Sequence, residues 1–104
     1  MGLTKDFRET IYTRARRDSA FRKALLTEAV SAYLSGEEKV GKAVLRDFIN
    51  ATVGFEKLSM LSDIPSKSLH RMLSPSGNPS TAHFFTILRV LQEHAGIHLK
   101  VRAA

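Results

Sequence analysis

Apolar and polar positions along this chain recur mainly with helical spacing, and the most ordered pattern lies between Phe55 and Ser74. In FEKLSMLSDIPSKSLHRMLS, Leu58, Leu61, Leu69 and Met72 form an inward-facing apolar set. Ser59 is small where two helices must cross closely, and Asp63-Ile64-Pro65 interrupts the periodicity. The pattern predicts two short helices joined by a tight turn. With Phe55 as the first of twenty positions, Ser59 is fifth, Asp63 ninth at the turn, the apolar plug Ile64 tenth, and Leu69 and Met72 fifteenth and eighteenth. Asp63 stands where glycine is usual, and aspartate tolerates positive φ better than most side chains. The second helix is expected to start at Pro65, whose missing N–H and fixed φ suit a first helical position.

The flanking pattern predicts further helices. Thr4 caps a first one running to Arg17, with Phe7, Ile11 and Ala15 on one side. Its end carries Arg14, Arg16 and Arg17, which suit the negative end of a helix dipole or a phosphate. Asp18 or Ser19 caps a second helix that stops at Ser35-Gly36. Along it Phe21, Leu25, Ala29 and Tyr33 recur every four residues, with Leu26, Val30 and Leu34 beside them, a stripe wide enough for half of a core. A third helix is expected over Lys42 to Thr52, burying Val44, Leu45, Phe48 and Ile49 and leaving Arg46 and Asp47 as surface charges. The turn formers of SPSGNPS make a loop. Ser80 or Thr81 then caps a last helix through Glu93, with Phe84, Ile87, Leu88 and Leu91 inward and Phe85 and Val90 on a second face available for a dimer contact. Beyond Gly96, residues Ile97 to Arg102 alternate with the period of a half-buried strand, expected to pair with its copy in a second subunit or to stay a loosely packed tail.

Composition narrows the function. At 104 residues and 43% hydrophobic content the chain has room for one domain. It has no cysteine, which excludes disulfides, thiolate zinc sites and cysteine nucleophiles and suits a reducing compartment. No apolar run approaches the roughly 20 residues of a membrane helix, and MGLTKDFRE lacks the apolar core of a signal peptide. The expected location is therefore cytoplasmic. The net charge of +6 and pI near 10.1 favour a polyanionic partner. From Ile64 to Gln92 there is no acidic residue, while Lys67, Arg71 and Arg89 are basic.

With Leu69 and Met72 inward, the outward residues of the second motif helix are Ser66, Lys67, Ser68, His70 and Arg71. These types suit a major groove: arginine can hold guanine through two hydrogen bonds, lysine reaches guanine or phosphate, and serine hydroxyls serve either. Lys57, and backbone groups at Gly77 and Asn78, are candidate phosphate contacts. Glu56 would repel a phosphate. Enzyme readings have little support: the glycines are scattered and no nucleophile motif appears. His94 and His98 are separated by Gly96 and need not share a face, so neither a metal nor a cofactor is expected.

The segment from about Lys42 to Leu99, with FINATVGFEKLS, IPSKSLHRML, GNPS and ILRVLQ, resembles Cro/repressor-like helix-turn-helix proteins of the addiction-module antidote type. That resemblance implies a dimeric, sequence-specific regulator of transcription that binds double-stranded DNA. In antidote members it also implies neutralisation of a toxin protein, and that second role is the alternative reading, with DNA binding secondary. By position it assigns DNA contact to the same five residues. The expected fold is all-α: a five-helix single domain with a Cro/repressor-like helix-turn-helix and a short C-terminal β-strand. Residues 1–41 would form an N-terminal helical extension on the same core, and 42–104 the DNA-binding domain with its strand.

Overall fold

The computed structural model describes residues 4–104, so the first residues of the expected 1–41 segment lie outside it. Six helices follow one another: α1 (Lys5–Arg17), α2 (Ser19–Leu34), α3 (Glu38–Ala51), α4 (Phe55–Ser62), α5 (Ser66–Met72) and α6 (Thr81–Ala95). The expected count of five is one short, since the two helices of the motif add to a first, second, third and last helix to make six, and the all-α class holds. Three helices begin under side-chain caps: Thr4 accepts from the Phe7 N–H at 3.2 Å, Asp18 from Phe21 at 3.1 Å and Ser80 from His83 at 3.1 Å.

The first three helices form one layer. α2 lies along α3, and α1 packs across both. Leu26, Ala29, Leu45, Phe48 and Ile49 are fully buried between them. α3 starts a turn earlier than expected because Gly41, which reads as a helix breaker, is a crossing point. A Cβ there would lie 2.7 Å from a Tyr33 ring carbon. At the α1–α2 junction the Arg14 guanidinium sits 4.8 Å from the Phe21 ring centroid, and Arg22 donates to the Ala15 carbonyl at 2.7 Å. Phe7, expected inward, is exposed.

The second layer is α4 to α6. α4 packs on both α5 and α6, and the core continues through Leu58, Leu69, Met72, Leu73, Ile87 and Leu91. Burial of each such side chain contributes about 1.5–3 kcal/mol. Helices of eight and seven residues are otherwise below the length that is stable alone, so this burial holds α4 and α5 in place. Two expected facings are corrected. Leu61 is half exposed, because the inward edge of α4 runs through Phe55 and Leu58; Val90 is buried at the α6 interface, leaving Phe85 exposed.

The expected C-terminal strand is absent among the described residues. Its alternation is nevertheless real: Ile97 is buried and Leu99 packs against the core, while His98 and Lys100 face outward. The backbone has a different partner. The Gln92 side chain accepts the Leu99 N–H at 2.8 Å and donates to the Leu88 carbonyl at 3.1 Å, fastening the tail to α6. Pairing of two C-terminal strands across a dimer therefore drops out.

Tyr33 closes the space between layers, its ring 4.5 Å from that of Phe84. Its hydroxyl is buried without a hydrogen-bond partner among the described residues. Burial, and then the Glu38 charge, push its pKa up to about 12, with Arg46 opposing. The folded value thus lies above the unfolded one, near 10, so the stability linked to this group is fully present below about pH 10 and is lost as pH rises through about 12. Tyr33→Phe is expected to raise stability by about 1 kcal/mol at neutral pH, since it removes an unsatisfied buried hydroxyl. The gap should widen above pH 10, as read by thermal melts across pH.

Candidate functional site: the α4–α5 pair and the loop behind it

Between α4 and α5 the chain turns on Asp63, whose φ of 59° and ψ of 29° make it the one left-handed non-glycine residue among those described. The turn is held by two serines. Ser59 donates its hydroxyl to the Ile64 carbonyl at 2.6 Å, and the Ile64 N–H donates to Ser62 Oγ at 3.3 Å. Ser59 is thus more than a small residue at a crossing: its hydroxyl satisfies a carbonyl that no helix can use. Ile64 itself is buried as the plug. Pro65 lies just outside the second helix as its N-cap, with ψ of 138°, and α5 begins at Ser66, one residue later than expected.

Outward from α5 the five sequence candidates separate into two kinds. Lys67 and Arg71 are exposed, one helical turn apart on the same side, with no carboxylate paired to either among the described residues. Ser68 is half-buried beside Arg71. The other two already have partners. Ser66 donates its hydroxyl to Glu56 Oε1 at 2.9 Å, bridging the first turns of α4 and α5, and His70 stacks on Phe55 with ring centroids 4.1 Å apart and planes 21° from parallel. Glu56 is therefore a strut between the two helices. Lys57 is exposed on α4, beside Leu61, Arg89 and Glu93.

An open groove of about 430 Å³ runs beside α5, lined by Ser68, Arg71, Ser76, Asn78, Ser80 and His83 among others. Every lining side chain is neutral or basic. Asn78 is exposed in its wall, whereas the Gly77 N–H is already donated to the Ser74 carbonyl at 3.1 Å. Gly77 is required by space: a Cβ would sit 2.0 Å from the Arg71 carbonyl oxygen. That carbonyl also accepts the Ser74 hydroxyl at 2.7 Å, so the loop folds tightly under the end of α5.

Two residues escaped the sequence reading. Lys42, only 3% exposed, donates to the carbonyls of Gly77 at 2.5 Å and Pro75 at 3.3 Å. Arg46, expected as a surface charge, donates to the Leu73 carbonyl at the end of α5. Their spacing of four residues on α3 is the only sequence signal for this, and it reads equally as a solvated face. Asp47 beside them has its pKa raised, first by burial, against the lowering effects of Arg8 and Arg46. Among the described residues no three His, Asp or Glu groups gather as metal ligands, and no helix is long and apolar enough to cross a membrane.

Compared with known families, characterised proteins and solved structures, the chain has no match. The arrangement of the site must therefore carry its interpretation.

Gly77→Ala is expected to cost about 1–3 kcal/mol, the scale of an overpacked site, because the added methyl meets backbone rather than a movable side chain. Asp63→Gly, which relieves the left-handed residue, should leave stability equal or higher. Chemical denaturation followed by circular dichroism separates the two.

Proposed function

We propose that this chain is a sequence-specific, double-stranded-DNA-binding regulator of transcription that inserts α5 into the major groove. The observation that carries the reading is the face of α5: Lys67 and Arg71 project together from a helix braced across α4, in a stretch without acidic residues from Ile64 to Gln92. Residues on the exposed face of such a helix read base edges, and flanking cations hold phosphates. In this reading Arg71 takes a guanine edge, Lys67 a guanine or a phosphate, and Ser68 and Asn78 secondary polar contacts. Lys57 contributes to the field from α4. Ser66 and His70 act chiefly through Glu56 and Phe55, which fix the pitch of the helix. The resemblance to Cro/repressor-like regulators supports this assignment, and the cysteine-free composition suits the cytoplasmic location proposed with it.

A dimer fits the dimensions. The protomer measures 34 × 30 × 28 Å, comparable with the roughly 34 Å between half-sites one helical turn apart. Met60, Leu61 and Phe85 are exposed apolar residues on α4 and α6, the helices flanking the reading helix, and form the candidate contact. A second reading, a toxin-neutralising module in which DNA binding is secondary, draws on Phe7, Leu34 and Val40, exposed on the three N-terminal helices. Co-purification with the product of a neighbouring small reading frame supports that alternative.

Gel-shift titration on the DNA upstream of the chain's own gene tests the main reading. Affinity is expected to fall steeply with salt, and Lys67→Ala with Arg71→Ala to weaken it, reducing the log–log salt slope by about one for each phosphate contact removed. Absence of binding at low salt, or binding indifferent to both substitutions, would sink the reading.

A further inference from the structure

We infer that Lys42 and Arg46 are positioning residues for DNA docking: from α3 they set the pose of the 73–79 loop and of the α5 end that faces the groove. This rests on the DNA-binding reading above. The two cations sit one turn apart on α3 and converge on one segment, Arg46 on the carbonyl of Leu73 and Lys42 on those of Pro75 and Gly77. Alternate carbonyls along the loop therefore all accept from α3. Nothing regular in the loop replaces them, because Pro75 and Pro79 lack N–H groups and the segment forms neither helix nor strand.

Apolar packing fixes α5 but not the loop. Leu69, Met72 and Leu73 are buried in the core, whereas Pro75, Ser76 and Asn78 are exposed and Ser74, Gly77 and Pro79 only half-buried. Within the loop, the Gly77 N–H donates to the Ser74 carbonyl, and the Ser74 N–H and hydroxyl donate to the Arg71 carbonyl, which folds the segment under the end of α5 without tying it to the first layer. The tie is made by Lys42 and Arg46. Lys42 is 3% exposed and its hydrogen bonds among the described residues go to carbonyls alone. A buried ammonium is tolerated when its donors are satisfied, so the same bonds that place the loop keep the lysine buried. Ser76 and Asn78 of the loop line the basic groove together with Arg71 and His83. Movement of the loop therefore moves the surface that meets DNA.

The test compares Lys42→Met, Arg46→Met and the conservative Arg46→Lys with wild type. Each is titrated with a duplex spanning the DNA upstream of the chain's own reading frame, and with a random-sequence duplex of equal length, over a range of KCl. Amide exchange at Ser74 and Gly77 is measured without DNA. Both Met variants should lose about tenfold in affinity for the upstream duplex, the scale on which removing a supporting residue costs a site. Their salt slope should stay at the wild-type value, because no phosphate contact is removed, whereas loss of a phosphate contact, as in Lys57→Ala, lowers it by about one. Exchange at Ser74 and Gly77 should accelerate, and Arg46→Lys should restore affinity and protection. If Lys42→Met fails to fold, Arg46→Met decides. Variants that bind like a DNA-binding wild type, or whose salt slope falls by one, overturn the positioning role alone. A wild type that binds neither duplex overturns the DNA reading and this role together.

Discussion

Two helices of eight and seven residues cannot sustain themselves in water, and this constraint governs the whole second layer. They exist because Leu58, Leu69 and Met72 are drawn into a core whose other walls are α2, α3 and α6. α3 is central to that arrangement. Its apolar side, through Leu45, Phe48 and Ile49, supplies the surface on which the core is built, while Lys42 and Arg46 reach the polar backbone beyond α5. One helix thus satisfies both apolar and hydrogen-bonding demands of the segment that reads as functional.

The outward side of α5 is organised by subtraction. Ser66 and His70 are occupied by Glu56 and Phe55, which brace the helix and leave Lys67 and Arg71 as its cations without a carboxylate partner among the described residues. Glu56 would be an obstacle as an isolated acid facing a phosphate. As an acceptor for the Ser66 hydroxyl it becomes part of the brace, in the way that supporting contacts commonly orient residues that touch a ligand.

Features decided by neighbours in the chain were legible in the sequence. The cap at Thr4, the caps at Asp18 and Ser80 to within one residue, the left-handed Asp63 and the inward Leu69 and Met72 follow from local spacing and side-chain chemistry. Features decided across the fold were not. Gly41 reads as a break until Tyr33 is seen against it, and the Ser66–Glu56 contact joins positions that sequence spacing does not pair. The tail shows the difference within one segment: alternation correctly places Ile97 and Leu99 inward, but its hydrogen-bond partner is the Gln92 side chain rather than another strand. A buried lysine among carbonyls is the hardest to foresee, since lysine is among the residues least often buried.

The packing of Tyr33 has an optical consequence. The chain contains no tryptophan and two tyrosines, and Tyr33 is the one wedged between the Gly41 crossing and Phe84. Its near-ultraviolet circular dichroism therefore reports the junction of α2, α3 and α6 from within, without an introduced label. Separation of the two helical layers registers there even when helix content is unchanged, so intrinsic spectroscopy can distinguish loosening of the fold from loss of its helices.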